Sequence, residues 1–238
     1  MATRNRTKAV LTLAVVALAV FAGTAQAALM GELGLLDLTK DYGSGAGVNP
    51  ATGSPWALGD PYHLIYVTSE LTDATSADIG YYNAFVQADA DAAGIGTSVG
   101  VTWSALGSTA TVDAQDNAVM TGPVFGIYQS EYVAADAADF WDYIFPAGSL
   151  MLQLDGTPKN VHTGTHQGVQ RRPLGGTSVE REWSAWQNWR DATGYWAPET
   201  EAEMCAVSEE LNIVPEPATM GLLALGGLGL LRCRRRRS

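Results

Sequence analysis

Two histidines in the second half of the chain have a spacing that can bind a metal. His162 and His166 are separated by three residues, which on a helix brings both imidazoles to one face, where they can ligate zinc. The intervening Thr-Gly-Thr favours a loop or strand, and the glutamate of a zinc-protease motif is absent. The pair is therefore interpreted as part of a polar loop, with zinc binding as the alternative.

Oxygen ligands suitable for calcium occur together at Asp113, Asp116 and Asn117. They lack the alternating Asp/Asn pattern and the glycine of a calcium-binding loop. Because Asp and Asn also cap helices and hydrogen-bond within turns, capping is the favoured interpretation. We expect no resident metal and no cofactor, and these three residues remain the candidate metal ligands.

Tryptophans are concentrated toward the end of the chain. Trp183, Trp186 and Trp189 have helical spacing, and Trp196 follows them. Indole faces stack on sugar rings, so the first three residues are a candidate sugar platform. Helical spacing is also typical of a buried stripe, and we favour that interpretation.

No catalytic motif is recognised in the sequence. The zinc-protease motif His-Glu-x-x-His is absent, and the glycine-rich run 43–47 is not followed by a helix start, so it predicts a flexible loop rather than a phosphate cradle. Carboxylates are plentiful, but the sequence does not indicate which of them face each other across a cleft, as a glycosidase requires. The protein is therefore not expected to be an enzyme.

The elements that position these residues are short strands and a few helices. Capping boxes at Thr75/Asp78 and at Thr177/Glu180 indicate two helix starts, and the second helix would carry the tryptophans. Short strands without regular alternation with helices predict a single α+β domain. The predicted strands are 62–68, 101–106, 124–128, 150–154 and 204–211, and the predicted helices are 79–94, 135–143 and 177–194.

The N-terminus has the three parts of a secretory signal peptide. Arg4, Arg6 and Lys8 precede a short apolar run, and Ala25 and Ala27 form a small-x-small cleavage site. The apolar run is too short and too rich in alanine for a stable membrane span, which needs about 20 apolar residues. The sequence therefore predicts that residues 1–27 are removed during export through the inner membrane by the secretion machinery.

The C-terminus has a second ordered pattern. An extended Val-Pro-Glu-Pro segment precedes 14 uncharged residues rich in Gly and Leu, and an arginine cluster follows. Fourteen helical residues span roughly 21 Å, against about 30 Å of hydrocarbon, so residues 218–231 predict a transient rather than permanent transmembrane helix. The arginines favour the cytoplasmic side. The residues of the motif and the cluster are Val214, Pro215, Glu216, Pro217, Arg232, Arg234, Arg235, Arg236 and Arg237.

This tail, residues 214–238, resembles the PEP-CTERM protein-sorting signal of Gram-negative bacteria. The resemblance implies processing near Pro215, Glu216 and Pro217 by an exosortase, which is an integral-membrane, transpeptidase-like enzyme. It also implies delivery to the cell surface or to an extracellular polysaccharide matrix. Cys233 interrupts the arginine run without changing its charge pattern.

Residues 28–213, which we call the body, are strongly acidic. Eight of the 14 basic residues lie in the two terminal segments, whereas 24 of the 25 acidic residues lie in the body, which leaves it with a net charge near −18. Such a charge disfavours nucleic acid and anionic lipid as partners. Cys205 is the single cysteine of the body, so no disulfide forms within it, and a buried apolar position is expected for it.

The order of elements in the body resembles C-type-lectin-like and endostatin-like domains of exported bacterial proteins. The disulfides and the calcium–sugar tripeptides of that fold are absent, and Trp189-Arg190-Asp191 stands where a Trp-Asn-Asp element is usual. The resemblance therefore implies a fold more than calcium-dependent sugar binding. The segments that carry it are 63–69, 82–86, 103–109, 113–117, 162–165 with Gly168, 183–189 and 205–211.

The sequence thus favours an exported cell-surface or matrix protein whose body is a non-catalytic adhesion or polysaccharide-associated module. Two alternatives stay open, namely a secreted carbohydrate-active enzyme with an Asp/Glu pair and a purely structural matrix protein. Exposed tryptophans would favour binding, and two carboxyl groups about 5–10 Å apart in a pocket would favour the enzyme.

Overall fold

The structure is a computed structural model that describes residues 28–128, 130–142, 160–166, 169–170, 172–183 and 195–217. Leu29–Val214 forms one compact unit. Of the second unit, the described residues are Ala28 and 215–217. The predicted signal peptide, the strand at 150–154 and the sorting helix at 218–231 lie outside the described residues.

The described elements are mostly short strands. Three helices occur among them, α1 (Ile79–Ala92), α2 (Ala114–Asn117) and α3 (Ala137–Trp141), together with a 3₁₀ turn at Thr97–Val99. None of the described helices is long and apolar enough to span a membrane. The strands are β1 (Leu29–Gly31), β2 (Val48–Asn49), β3 (Ser54–Pro55), β4 (Pro61–Val67), β5 (Trp103–Ala105), β6 (Val124–Gly126), β7 (Glu131–Ala134), β8 (Asn160–His162), β9 (Thr165–His166), β10 (Val169–Gln170), β11 (Val179–Trp183), β12 (Tyr195–Trp196), β13 (Glu203–Ser208) and β14 (Leu211–Pro215).

Ten of the described strands form one mixed sheet. Hydrogen-bonded neighbours follow the path β1-β14-β4-β13-β8-β11-β12, in which β14 and β13 pair with different residues of β4. β5 is also paired to β13, and β6 is paired to both β4 and β7. The β4–β6 and β8–β13 pairs are parallel, and β4–β13 is antiparallel. The fold is therefore mixed and strand-rich with few helices, which agrees with the coarse part of the α+β prediction.

Strand β4 lies at the centre of this sheet because nearly all of its side chains are apolar or aromatic. Tyr62, Leu64, Ile65, Tyr66 and Val67 are fully buried. Alternate residues of a strand point to opposite faces, so a strand buried along its whole length contributes to two core clusters, one on each face of the sheet. The strand predicted at 62–68 is thus confirmed.

Helix α1 packs on one face of the sheet through the stripe that the sequence predicts. Tyr82, Val86 and Ala90, spaced four residues apart, are fully buried. The predicted capping box is wrong, because Asp78 itself is the N-cap and its Oδ1 accepts from the Gly80 N–H at 2.9 Å. Thr75 instead bonds to Asp73 in the preceding turn.

The predicted helix 177–194 is also wrong over its described part, residues 177–183. Residues 179–183 form β11, in which 179–180 pair with β12 and 181–183 pair with β8. A local capping signal contributes about 1 kcal/mol, whereas pairing with β12 and then with β8 gives every residue from 179 to 183 a strand partner. Tertiary pairing therefore overrides the helical signal at Thr177 and Glu180.

Strand β4 also explains why the predicted strand 204–211 is broken in two. β13 and β14 lie along the same edge of β4, where Val207 pairs with Ile65 and Leu211 pairs with Tyr62. Two residues of β4 thus oppose the three residues 208–210. This is a β-bulge, which bends a strand and redirects its side chains.

Candidate functional site

The bulge opens onto a cavity of about 270 Å³, which we call the cleft. β4, β5 and the segment that follows α2 supply its other walls. Of its ten described lining residues, two are glutamates and none is Lys or Arg, so the cleft is acidic. The lining residues are His63, Ser104, Asn117, Ala118, Val119, Thr121, Val207, Ser208, Glu209 and Glu210.

The buried ring of His63 connects two walls of the cleft through hydrogen bonds. It lies in the middle of β4 and is only 1% exposed. Its Nε2 accepts from the Thr121 N–H at 2.9 Å, which assigns the ring proton to Nδ1, and Nδ1 donates to the Ser208 carbonyl at 3.0 Å. Burial lowers the pKa of His63 below its ordinary value of 6.5, although the hydrogen bond to Ser208 opposes that shift. The neutral ring therefore ties the bulge to the opposite wall.

Three side chains in the lining of the cleft, His63, Thr121 and Glu210, are connected by hydrogen bonds, and we call them the polar line. Thr121 is held by His63 and donates its hydroxyl proton to Glu210 Oε2. Glu209 is fixed as well, because its Oε1 accepts from the Thr102 N–H at 2.8 Å. Val119, which is 63% exposed, places an apolar side chain beside these polar groups. The arrangement offers acceptors and an apolar surface to a ligand that carries hydroxyl groups.

This line of His63, Thr121 and Glu210 differs from a nucleophilic triad in its hydrogen bonds. A catalytic hydroxyl donates to the imidazole, and a carboxylate orients the other ring nitrogen. Here the Thr121 hydroxyl lies 3.2 Å from His63 Nε2 but donates to the carboxylate, the Nε2 lone pair accepts from a backbone amide, and a backbone carbonyl accepts from Nδ1. The geometry suits positioning of a binding surface.

Asn117, one of the candidate calcium ligands, forms part of the packing beneath the cleft. Its side-chain amide pairs reciprocally with that of Asn83 on α1, with both N–O distances at 2.9 Å. Asn117 Nδ2 also donates to the Ala105 carbonyl on β5. Asp113 is the N-cap residue of α2, and Asp116 lies in its first turn. The structure therefore gives Asn117 a role in joining α1, α2 and β5.

The predicted histidine pair lies on two strands. His162 is the last residue of β8 and His166 the last residue of β9, with the turn between them at Gly164. His162 is fully buried, packs edge-on against Trp196 and donates from Nε2 to the Thr200 carbonyl at 2.7 Å. The polar-loop interpretation is thus wrong for His162, because β8 is paired with β11 and β13 and the side chain is buried. Among the described residues, no group of three or more His, Cys, Asp or Glu side chains is arranged to hold a metal.

The tryptophans of the candidate sugar platform are described only in part. Trp183 is the last residue of β11, so it does not begin the helical stripe that the platform prediction requires. Trp186 and Trp189 lie outside the described residues. Trp196 is half-buried on β12. The prediction for Cys205 is confirmed, since the residue is fully buried on β13.

The sequence also contains a hydrolase-like pattern that was missed. Residues 96–100 read Gly-Thr-Ser-Val-Gly, which fits Gly-x-Ser-x-Gly. A nucleophile elbow needs a sharp strand-to-helix turn, whereas these residues form an exposed 3₁₀ turn after α1. The pattern therefore lacks the structural context of a hydrolase. The cleft residues were missed for another reason, since His63, Thr121 and Glu210 are far apart in sequence.

The comparison with known families identifies the C-terminal segment. Residues 214–237 match the PEP-CTERM protein-sorting motif, as the resemblance of the tail indicated. No curated protein matches the chain. The motif implies an exported protein that is processed by an exosortase and that reaches the cell surface or the extracellular space. Val214 and Pro215 end β14, and Glu216 and Pro217 follow directly.

Proposed function

We propose that the protein is exported through the inner membrane, loses residues 1–27, and is processed by an exosortase within 214–217 for delivery to the cell surface or extracellular matrix. The observation that carries this proposal is the sorting motif at 214–237. The charged, apolar and small-residue parts of the N-terminus support the same route. The apolar run 218–231 engages the membrane transiently until the tail is removed.

The motif itself provides the test of processing. Glu216→Ala in the full chain removes the carboxylate of the motif, and Glu201→Ala removes an exposed glutamate outside it. In a host that contains the exosortase, the Glu216 variant is expected to accumulate with its tail, and the Glu201 variant to be processed like the wild type. Equal processing of both variants would contradict a role for Glu216 in recognition.

For the body we propose a non-catalytic module that binds extracellular polysaccharide in the cleft. Support comes from the fixed hydroxyl of Thr121, the carboxylates of Glu209 and Glu210, and the exposed Val119 beside them. Polar groups of this kind accept and donate hydrogen bonds to sugar hydroxyls, and an apolar side chain contacts the C–H face of a sugar ring. A C-type-lectin-like fold remains a hypothesis for the body.

The charge of the cleft further restricts the proposed ligand. Glu209 and Glu210 line it, and no Lys or Arg occurs among the described lining residues. An anionic polysaccharide would meet repulsion there, so the ligand is a neutral or amine-bearing sugar chain.

Binding to the producing cell's own extracellular polysaccharide tests the proposal for the body. Thr121→Val and Glu210→Gln each remove one part of the polar line with little change in size, and Glu70→Gln alters an exposed glutamate outside the cleft. Each cleft variant is expected to weaken binding about tenfold, the effect of one charge-assisted hydrogen bond. Affinities that are equal for all three variants and the wild type would contradict the cleft as the site. Assays with calcium and with chelator show whether a metal contributes.

A further inference from the structure

The last strand of the body, β14, is paired with a neighbouring strand along each of its two edges. β14 lies between β1 and β4, so the strand that ends with the first two residues of the sorting motif is an interior strand. Leu211 and Ile213 are 2% and 0% exposed and belong to the core. Only Val214 separates Ile213 from the Pro-Glu-Pro residues.

The backbone groups of this strand are already hydrogen-bonded. The Asn212 carbonyl accepts from the Glu32 N–H at 3.1 Å, and the Asn212 N–H donates to Glu32 Oε2 at 3.1 Å. The Ile213 N–H donates to the Asp60 carbonyl at 3.0 Å, and its carbonyl accepts from the Gly59 N–H at 2.9 Å. Both main-chain groups of two successive residues are therefore unavailable to another protein.

A processing enzyme needs these same groups. Extended substrates bind through their main-chain N–H and C=O groups, with pockets for alternate side chains. An enzyme that cuts within 214–217 would contact the residues immediately before the cut, which include 212 and 213. Because those groups are bonded inside the sheet, enzyme and sheet compete for one segment of chain.

We propose that the exosortase acts on a state in which β14 has left the sheet, so that docking of β14 limits the rate of tail removal. This inference rests on the processing proposed above. When opening is fast relative to cleavage, the rate of proteolysis follows the population of the open state. Docked β14 then delays release of the body, and a chain whose last strand has not yet docked is cut first.

Pulse-chase measurement of tail loss from the full chain, in a host with the exosortase, tests this inference. A Gly-Ser-Gly-Ser insertion between Ile213 and Val214 separates the motif from the sheet, while Leu211, Asn212 and Ile213 keep their pairing. It is expected to accelerate processing roughly tenfold, since undocking is no longer required. The same insertion after Thr52, in an exposed turn, is the control for added length and is expected to leave the rate unchanged.

A second pair of variants distinguishes undocking from simple steric access. Glu32→Ala removes the carboxylate that accepts from Asn212, whereas Glu32→Gln keeps an acceptor oxygen. The alanine variant is expected to be processed about three- to tenfold faster than the wild type, and the glutamine variant close to the wild-type rate. Wild-type rates for the insertion and for Glu32→Ala would overturn this inference alone. A wild-type chain that keeps its tail in the presence of the enzyme would overturn the proposed processing as well.

Discussion

His63 offers the most direct test of how the cleft is held together. In the His63→Ala variant, the Thr121 N–H and the Ser208 carbonyl lose a partner that now lies 2.9 and 3.0 Å away. Each backbone group left without a partner costs about 1–3 kcal/mol. Removal of a ring that is 1% exposed also leaves a cavity in the middle of β4. Together these effects are expected to lower the free energy of unfolding by roughly 3–6 kcal/mol.

Denaturant unfolding of the processed protein at pH 7.5 measures this loss. The midpoint should fall while the slope with denaturant stays constant, because the surface exposed on unfolding is nearly unchanged. His63→Gln keeps an amide that can bond to one of the two backbone groups, so about half of the loss is expected for it. A decrease below about 1 kcal/mol for His63→Ala would show that the ring does not hold the two walls of the cleft together.

Two further predictions concern the interior. Burial lowers the pKa values of His63 and His162 below 6.5, so the unfolded chain binds protons first as the pH falls. The contribution of each histidine to the free energy of unfolding is then fully present above about pH 6.5. Below that pH it decreases by up to about 1.4 kcal/mol per pH unit until the folded-state pKa is reached. Thermal unfolding between pH 7.5 and 5.5 checks this, and a flat profile would contradict it. Asn83→Ala breaks the amide pair with Asn117 and is expected to cost about 1–3 kcal/mol. A double-mutant cycle with Asn117→Ala should show coupling, and strict additivity would contradict a direct interaction.

The sequence predicted the parts of the fold that local pattern controls. The continuous apolar run of β4 and the four-residue spacing of Tyr82, Val86 and Ala90 are strong signals, and both elements occur as expected. α3 falls within the predicted helix 135–143, and β5 and β6 fall within the predicted strands 101–106 and 124–128. In these segments, propensity and tertiary environment favour the same structure.

The sequence failed where pairing partners are distant. Thr177 and Glu180 look like a helix start, but residues 179–180 pair with β12 and residues 181–183 pair with β8. The bulge at 208–210 depends on the register of β13 and β14 against β4, which has no local signature. Both errors arise because strand pairing is non-local.

The cleft could not be predicted for the same reason. Thr121 lies 58 residues from His63 and 89 residues from Glu210 in sequence. None of the three carries a recognisable motif, and both the bulge and the pairing of β6 with β4 are needed to bring them together. The sorting motif, by contrast, is a short ordered pattern that a linear sequence displays completely, which is why the resemblance of the tail was confirmed.

The mass of the exported protein, determined in cells with and without the exosortase, shows whether both terminal segments are removed. With the enzyme, the intact mass should correspond to a chain that begins at Ala28 and ends within 214–217, and the body should be recovered at the cell surface or in the matrix. Without the enzyme, the chain should retain residues 218–238. An exported, stable protein that carries the arginine cluster Arg232–Arg237 in cells with the enzyme would contradict the account.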